Sequence, residues 1–145
     1  MNRILVLIVA LMMWSGLAFA QDTRKYHEGV VVQVSSIRIK DGQSDNYMAW
    51  IAGPYKRLMD EQVKAGLVMS WSVYSRNPRS PQEANLYLTT VYPNMAIFDG
   101  LEDKVDAISS KELGESRAQG EKRYADRGSM REVLGSELIR ELKIR

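Results

Sequence analysis

The chain has 145 residues, no cysteine, one histidine and a formal net charge of +2. Those counts exclude a disulfide framework, a thiolate nucleophile and a structural zinc site, for which one imidazole supplies too few ligands. Without Arg3 the charge is near neutral, so no basic footprint points to DNA or RNA; the most basic stretch, 117–131, also holds Glu121 and Asp126 and reads as a solvated helix face.

Arg3, an apolar run over 4–14, a Ser15-Gly16-Leu17 step and Ala18-Phe19-Ala20 follow the order of a secretory signal peptide cleaved after Ala20. Ser15 and Gly16 interrupt the run before it reaches the ~20 apolar residues a membrane span requires. The expectation is a signal peptide at 1–20, no stable span after cleavage, and a mature chain that is periplasmic or secreted. A flexible lead, 21–29, then precedes one domain at 30–145, a length suited to a single core. His27 lies in that lead and reads as an exposed residue, since a hydrolase triad or haem-ligand role would need the lead to fold back over a pocket.

In the segment 30–39, Val30, Val32 and Val34 share one face while Ile37 and Ile39 fall in the opposite phase, which predicts a strand with a bulge at Ser35-Ser36. Asp41-Gly42 is a turn. From Ser44, a predicted N-cap, Tyr47, Met48, Ile51, Tyr55, Leu58, Met59, Gln62 and Val63 recur at three and four, an amphipathic helix ending near Gly66. Pro54 cannot donate to the carbonyl of Trp50, so a kink or restart is expected there. Strands follow at 67–75 and 85–92, linked by an exposed loop with two prolines. Asn94 is the predicted cap of a second helix with the stripe Ile97, Phe98, Leu101, Val105 and Ile108. Ser109-x-x-Glu112 has the form of a capping box opening a further helix to about residue 125, weakly apolar and the least firmly packed element. The tail 130–143 fits a helix or a bulged strand; the strand is favoured, closing the sheet.

This order, strand, helix, strand, strand, helices, strand, predicts an α+β domain: a four-stranded antiparallel sheet with helices on one face. Strands two and three carry large side chains on both faces. Leu67, Met69, Trp71 and Val73 stand opposite Val68 and Tyr74, and Leu86, Leu88 and Tyr92 opposite Tyr87 and Val91. Each large apolar side chain left in water forfeits about 1.5–3 kcal/mol, against a total of about 5–15 kcal/mol for a domain. A second copy on a two-fold axis is the expected cover, and two sheets facing each other would enclose a barrel.

"GLVMSWSVYS" and "NLYLTTVYPNMAIFDGL" resemble the second and third strands and following helix of the ferredoxin-like dimeric α+β barrel superfamily, in particular its antibiotic-biosynthesis-monooxygenase type. The carriers are Gly66 opening strand two, Trp71 and Tyr74 within it, Tyr92 closing strand three, and Ala96 and Asp99 beyond. The chain departs from that pattern at Thr90, where an acidic residue is common, and at Tyr92, where tryptophan is. The resemblance implies the ferredoxin-like fold and the homodimer. For a catalytic member it implies cofactor-independent oxidation of an aromatic substrate, with no cofactor and no metal; no catalytic residue carries over.

For a small, partly aromatic ligand the candidate residues are Trp50, Tyr55, Ser70, Trp71, Ser72, Tyr74, Tyr87, Thr89 and Tyr92, which together supply apolar walls and a few hydroxyls. The same aromatics also suit core and dimer-interface packing. Adjacent acids, Asp60-Glu61 and Glu102-Asp103, point about 100° apart on a helix and read as solvated surface. No glycine-rich phosphate loop is present. Two functions remain: a binding domain, signalled by a pocket reaching Ser70 or Ser72, and a non-catalytic interaction module of the cell envelope, signalled by a filled dimer core around Trp71 and Tyr87.

Overall fold

The computed structural model describes residues 24–145; the predicted signal peptide lies outside them. In chain order the elements are β1 (Tyr26–Ile39), α1 (Ser44–Trp50), a π-helical turn (Ile51–Tyr55), α2 (Lys56–Lys64), β2 (Ser70–Ser75), β3 (Leu86–Tyr92), a 3₁₀ turn (Met95–Phe98), α3 (Leu101–Leu113), α4 (Arg117–Asp126), a second 3₁₀ turn (Arg127–Ser129) and β4 (Arg131–Ile144). The tail is a strand, its β-branched and leucine content pairing along the whole of β1.

The four strands form one antiparallel sheet in the order β2-β3-β1-β4, the ferredoxin-like arrangement. The expected barrel is not formed. Closing a sheet requires its two edge strands to pair. Here the edges are β2, of six residues, and β4, of fourteen, separated by β3 and β1, and no pairing joins them. The sheet is open.

Alternation decides the two faces. Val31, Ile37, Leu86 and Tyr92 point to the helices and are buried, with Trp71 and Val73 of β2 on the same side. Val32, Val34, Tyr87, Thr89, Val91, Ser70, Ser72 and Tyr74 stand on the other. The core divides in two: Val31, Met59, Val68 and Tyr92 at one end, Ile37, Tyr47, Ile51 and Leu86 at the other. Tyr55 packs against both.

The bulge expected at Ser35-Ser36 of β1 is absent from the β1–β3 ladder, which runs in register through both serines. The two apolar phases of β1 serve two faces of one strand. The irregularities lie against β4, where Leu134 is the extra residue between the partners of Ser36 and Ile37, and Gly29-Val30 are two residues set against Glu141. A Cβ added at Gly29 would lie 2.3 Å from Glu141 Oε2 and 2.9 Å from its Cβ, so a side chain there would force Glu141 to shift.

The helix ends differ from expectation in instructive ways. Gln43 occupies the N-cap of α1, with Ser44 the first helical residue and no side-chain cap made. Gly66 does end α2: at φ +71° it donates to Val63, and Leu67 donates to Gln62, a Schellman motif. Asn94 makes no side-chain cap, and the segment it opens is a short 3₁₀ turn, since Asp99 is extended and Gly100 left-handed before α3 starts. Ser109 and Glu112 fall inside α3; the capping box is Ser116 and Gln119, which bond each other's backbone N–H at the start of α4. Neither α3 nor α4 buries a residue, so weak packing is shared by both and not confined to the later helix.

Candidate functional site

Pro54 lacks an N–H, and the helix absorbs this by widening: Lys56 donates to the carbonyl of Ile51, five residues back. The wide turn sets Trp50, Pro54 and Leu58 along one wall of a cleft of about 480 Å³ whose opposite wall is α3 and α4. Leu101, Val105 and Leu113 supply the apolar part of that wall, and Tyr124 and Arg127 stand at its end.

Arg127 follows α4 directly, and its guanidinium lies 4.4 Å from the centre of the Trp50 ring and 5.5 Å from that of Tyr124. Arg131, the first residue of β4 and buried, lies 4.7 Å from the Tyr124 ring on its own account. Cations stacked on aromatic faces gain from the ring quadrupole and keep their in-plane donors available. Arg127 Nε is buried without a hydrogen-bond partner. Burial, aided by the like charge of Arg131, holds the Arg127 guanidinium below its ordinary value, although arginine remains charged.

The other charges of the cleft are matched. Arg117 reaches Glu102, Asp106 and Glu121 at 3.4–3.8 Å, and Arg123 pairs with the buried Glu115. That last pair lies outside hydrogen-bond geometry, leaving Glu115 Oε1 without a bond.

Behind the cleft an aromatic chain leads to the sheet. Tyr47 stacks on Trp50 at 5.3 Å, Trp50 meets Tyr55 at 5.2 Å, and Tyr55 meets Trp71 edge-on at 5.6 Å. The Trp71 indole N–H donates to Asp60, 3.2 Å away. Burial pushes the Tyr55 hydroxyl up to about 12, with a hydrogen bond from Thr90 offsetting part of the shift. Burial also raises Tyr47, opposed by Arg131 and Arg127, and raises Tyr92, whose hydroxyl donates to Gln33 Oε1 at 3.2 Å.

The nine candidate residues are thus divided by the sheet. Trp50, Tyr55, Trp71 and Tyr92 lie on the helix side, and of these Trp50 lines the cleft. Ser70, Ser72, Tyr74, Tyr87 and Thr89 lie on the open face, where Tyr74 is opposite Tyr87 and Ser72 opposite Thr89. Neither the cleft nor a second, polar one of about 410 Å³ beside Arg38 and Pro81 is lined by Ser70 or Ser72. His27 is exposed at the start of β1, with Arg145 donating to its Nε2.

No family model matches the chain. No curated protein matches it. Among solved structures it is similar to HapK from Hahella chejuensis, at 16% identity and TM-score 0.46 over 77% of this chain and 91% of that one. It is also similar to a dimeric ferredoxin-like protein from an uncultured marine organism, at 11% identity and TM-score 0.48 over 82% and 98%. The likeness is one of fold.

Sequence reasoning missed Tyr124, Arg127 and Arg131. All three sit in the stretch 117–131 that composition assigns to solvent. The available signal was spacing: Tyr124, Arg127 and Arg131 are three and four apart, which on a helix or its last turn brings them to one side.

Proposed function

We propose that the chain is a small-molecule binding domain and that its guest, flat and partly aromatic, lies in the cleft between the π-turn helix and α3–α4. One observation carries this reading: the widened turn at Pro54 sets the Trp50 indole on a cleft of about 480 Å³ whose opposite wall joins Leu101, Val105 and Leu113 to ion-paired charges, a size and mixed character suited to a small ligand. The site differs from the pocket between sheet and helices, reaching Ser70 or Ser72, that the sequence favoured: Trp71 is already packed and hydrogen-bonded there, and neither serine lines a cleft. Binding, and not oxidation, is the activity proposed. The carboxylates lining the cleft are each ion-paired to arginine, so none stands ready as a base.

A second copy of the chain is the proposed occupant of the open sheet face, as an unclosed sheet-on-sheet pair. Tyr74 at 55% and Ile139 at 50% exposure support it. The signal-peptide pattern at 1–20 supports export. Among the described residues no helix is long and apolar enough to cross a membrane.

Equilibrium dialysis with naphthalene derivatives tests the cleft. The native chain is expected to bind them, and Trp50→Ala to weaken binding about tenfold or more with an unchanged circular dichroism spectrum. Equal affinity in the two proteins removes the proposed site.

A further inference from the structure

We infer that the cleft selects aromatic monoanions, a planar ring bearing one carboxylate, with Arg127 receiving the carboxylate. The inference rests on the binding reading above and adds the charge of the guest. Three arginines line the cleft. Arg117 is surrounded by Glu102, Asp106 and Glu121, and Arg123 is held by Glu115. Arg127 alone of the three has no carboxylate within ion-pair distance among the described residues, and Arg131 behind it has none either. Two neighbouring cations are thus partly or fully withdrawn from water with aromatic faces as their main company. A buried positive charge without a counter-ion is unfavourable, and an anion brought by the ligand relieves it.

The geometry also narrows the anion. The Arg127 guanidinium carbon lies over the Trp50 and Tyr124 rings, and its Nε is buried without a partner; a guanidinium presents planar paired donors, which match a planar carboxylate. The ring of the guest then lies along Pro54, Leu58 and Val105. Glu102, Asp106 and Glu121 edge the same cleft and disfavour a guest carrying several negative charges, such as a polyphosphate.

Isothermal titration calorimetry of the native chain with 2-naphthoate and with 2-naphthamide decides the matter, because the two probes share shape and differ in charge. Naphthoate is expected to bind about tenfold or more tightly than the amide, a preference typical of a charge-assisted pair, and Arg127→Gln to abolish that preference while amide binding persists. Equal affinity for acid and amide in the native chain, with binding still lost in Trp50→Ala, overturns the inference and leaves the cleft as a neutral aromatic site. Binding of neither probe overturns the inference together with the cleft reading. The comparison of the two probes on the native chain requires no variant to fold.

Discussion

Arg127 and Tyr55 show how position overrides residue type. Arg127 belongs to a stretch whose composition is that of a solvated helix, yet the chain turns after Asp126 and lays the side chain over Trp50. Sequence lists the charges of 117–131 but not the turn that withdraws one of them from water, which is why this half of the site was illegible. Tyr55 was legible as a buried aromatic with a hydroxyl to satisfy, and its surroundings make a pH prediction. Its folded value of about 12 lies above the unfolded 10.0. The folded state therefore holds a proton that the unfolded chain releases, and stability is unaffected below pH 10 but falls as pH rises from 10 toward 12. Tyr47 and Tyr92 shift in the same direction and add to the fall. Urea unfolding is expected to show a loss on the order of 2 kcal/mol across that window, reduced in Tyr55→Phe; an equal loss in the variant would assign it elsewhere.

At the level of elements, most of the fold was legible because local rules agree. The three-and-four stripe from Tyr47 to Val63 forms one helical run and Gly66 ends it. Pro54 marked the irregularity, though its resolution as a π turn depends on packing that no local pattern carries. Where two signals competed, the backbone decided. Ser109-x-x-Glu112 and Ser116-x-x-Gln119 both have capping-box form, and only the second follows a stop, Gly114 at φ +66°. Ser116→Ala is accordingly expected to lower stability by about 1 kcal/mol, with Ser109→Ala neutral or slightly stabilising, in denaturant melts. Glycines give a sharper contrast. Gly29→Ala drives a Cβ into Glu141 and is expected to destabilise by about 1–3 kcal/mol. At Gly53, where nothing lies within 4 Å, alanine is expected to stabilise by about 0.5–1 kcal/mol.

For the whole molecule, element order sufficed to give the ferredoxin-like sheet, since connections of this length leave few other arrangements. It did not give closure: the strand order leaves β2 and β4 as the edges of an open sheet, and the curl that a barrel needs is set by the whole sheet and not by the residues of any one strand. The open face mixes Val32, Val34, Tyr74, Tyr87 and Val91 with Ser70, Ser72 and Thr89, and a second copy burying about 800 Å² from each partner would be a standard interface. Sedimentation of the chain from residue 21 onward is expected to give a dimer that Tyr74→Lys with Val32→Lys converts to a folded monomer; a native monomer would contradict that proposal. The cleft lies on the other side of the sheet, in the helix layer, and its test is independent of assembly. Trp50 and Trp71 are the two tryptophans of the described residues, one lining the cleft and one packed on the sheet with its N–H bonded to Asp60. Their indole N–H signals in a ¹⁵N-correlated NMR spectrum, followed while 2-naphthoate is added, probe the two locations at once. Movement of the Trp50 signal with Trp71 fixed is the predicted result; movement of Trp71 alone, or of neither, would contradict a guest held between the π-turn helix and α3–α4.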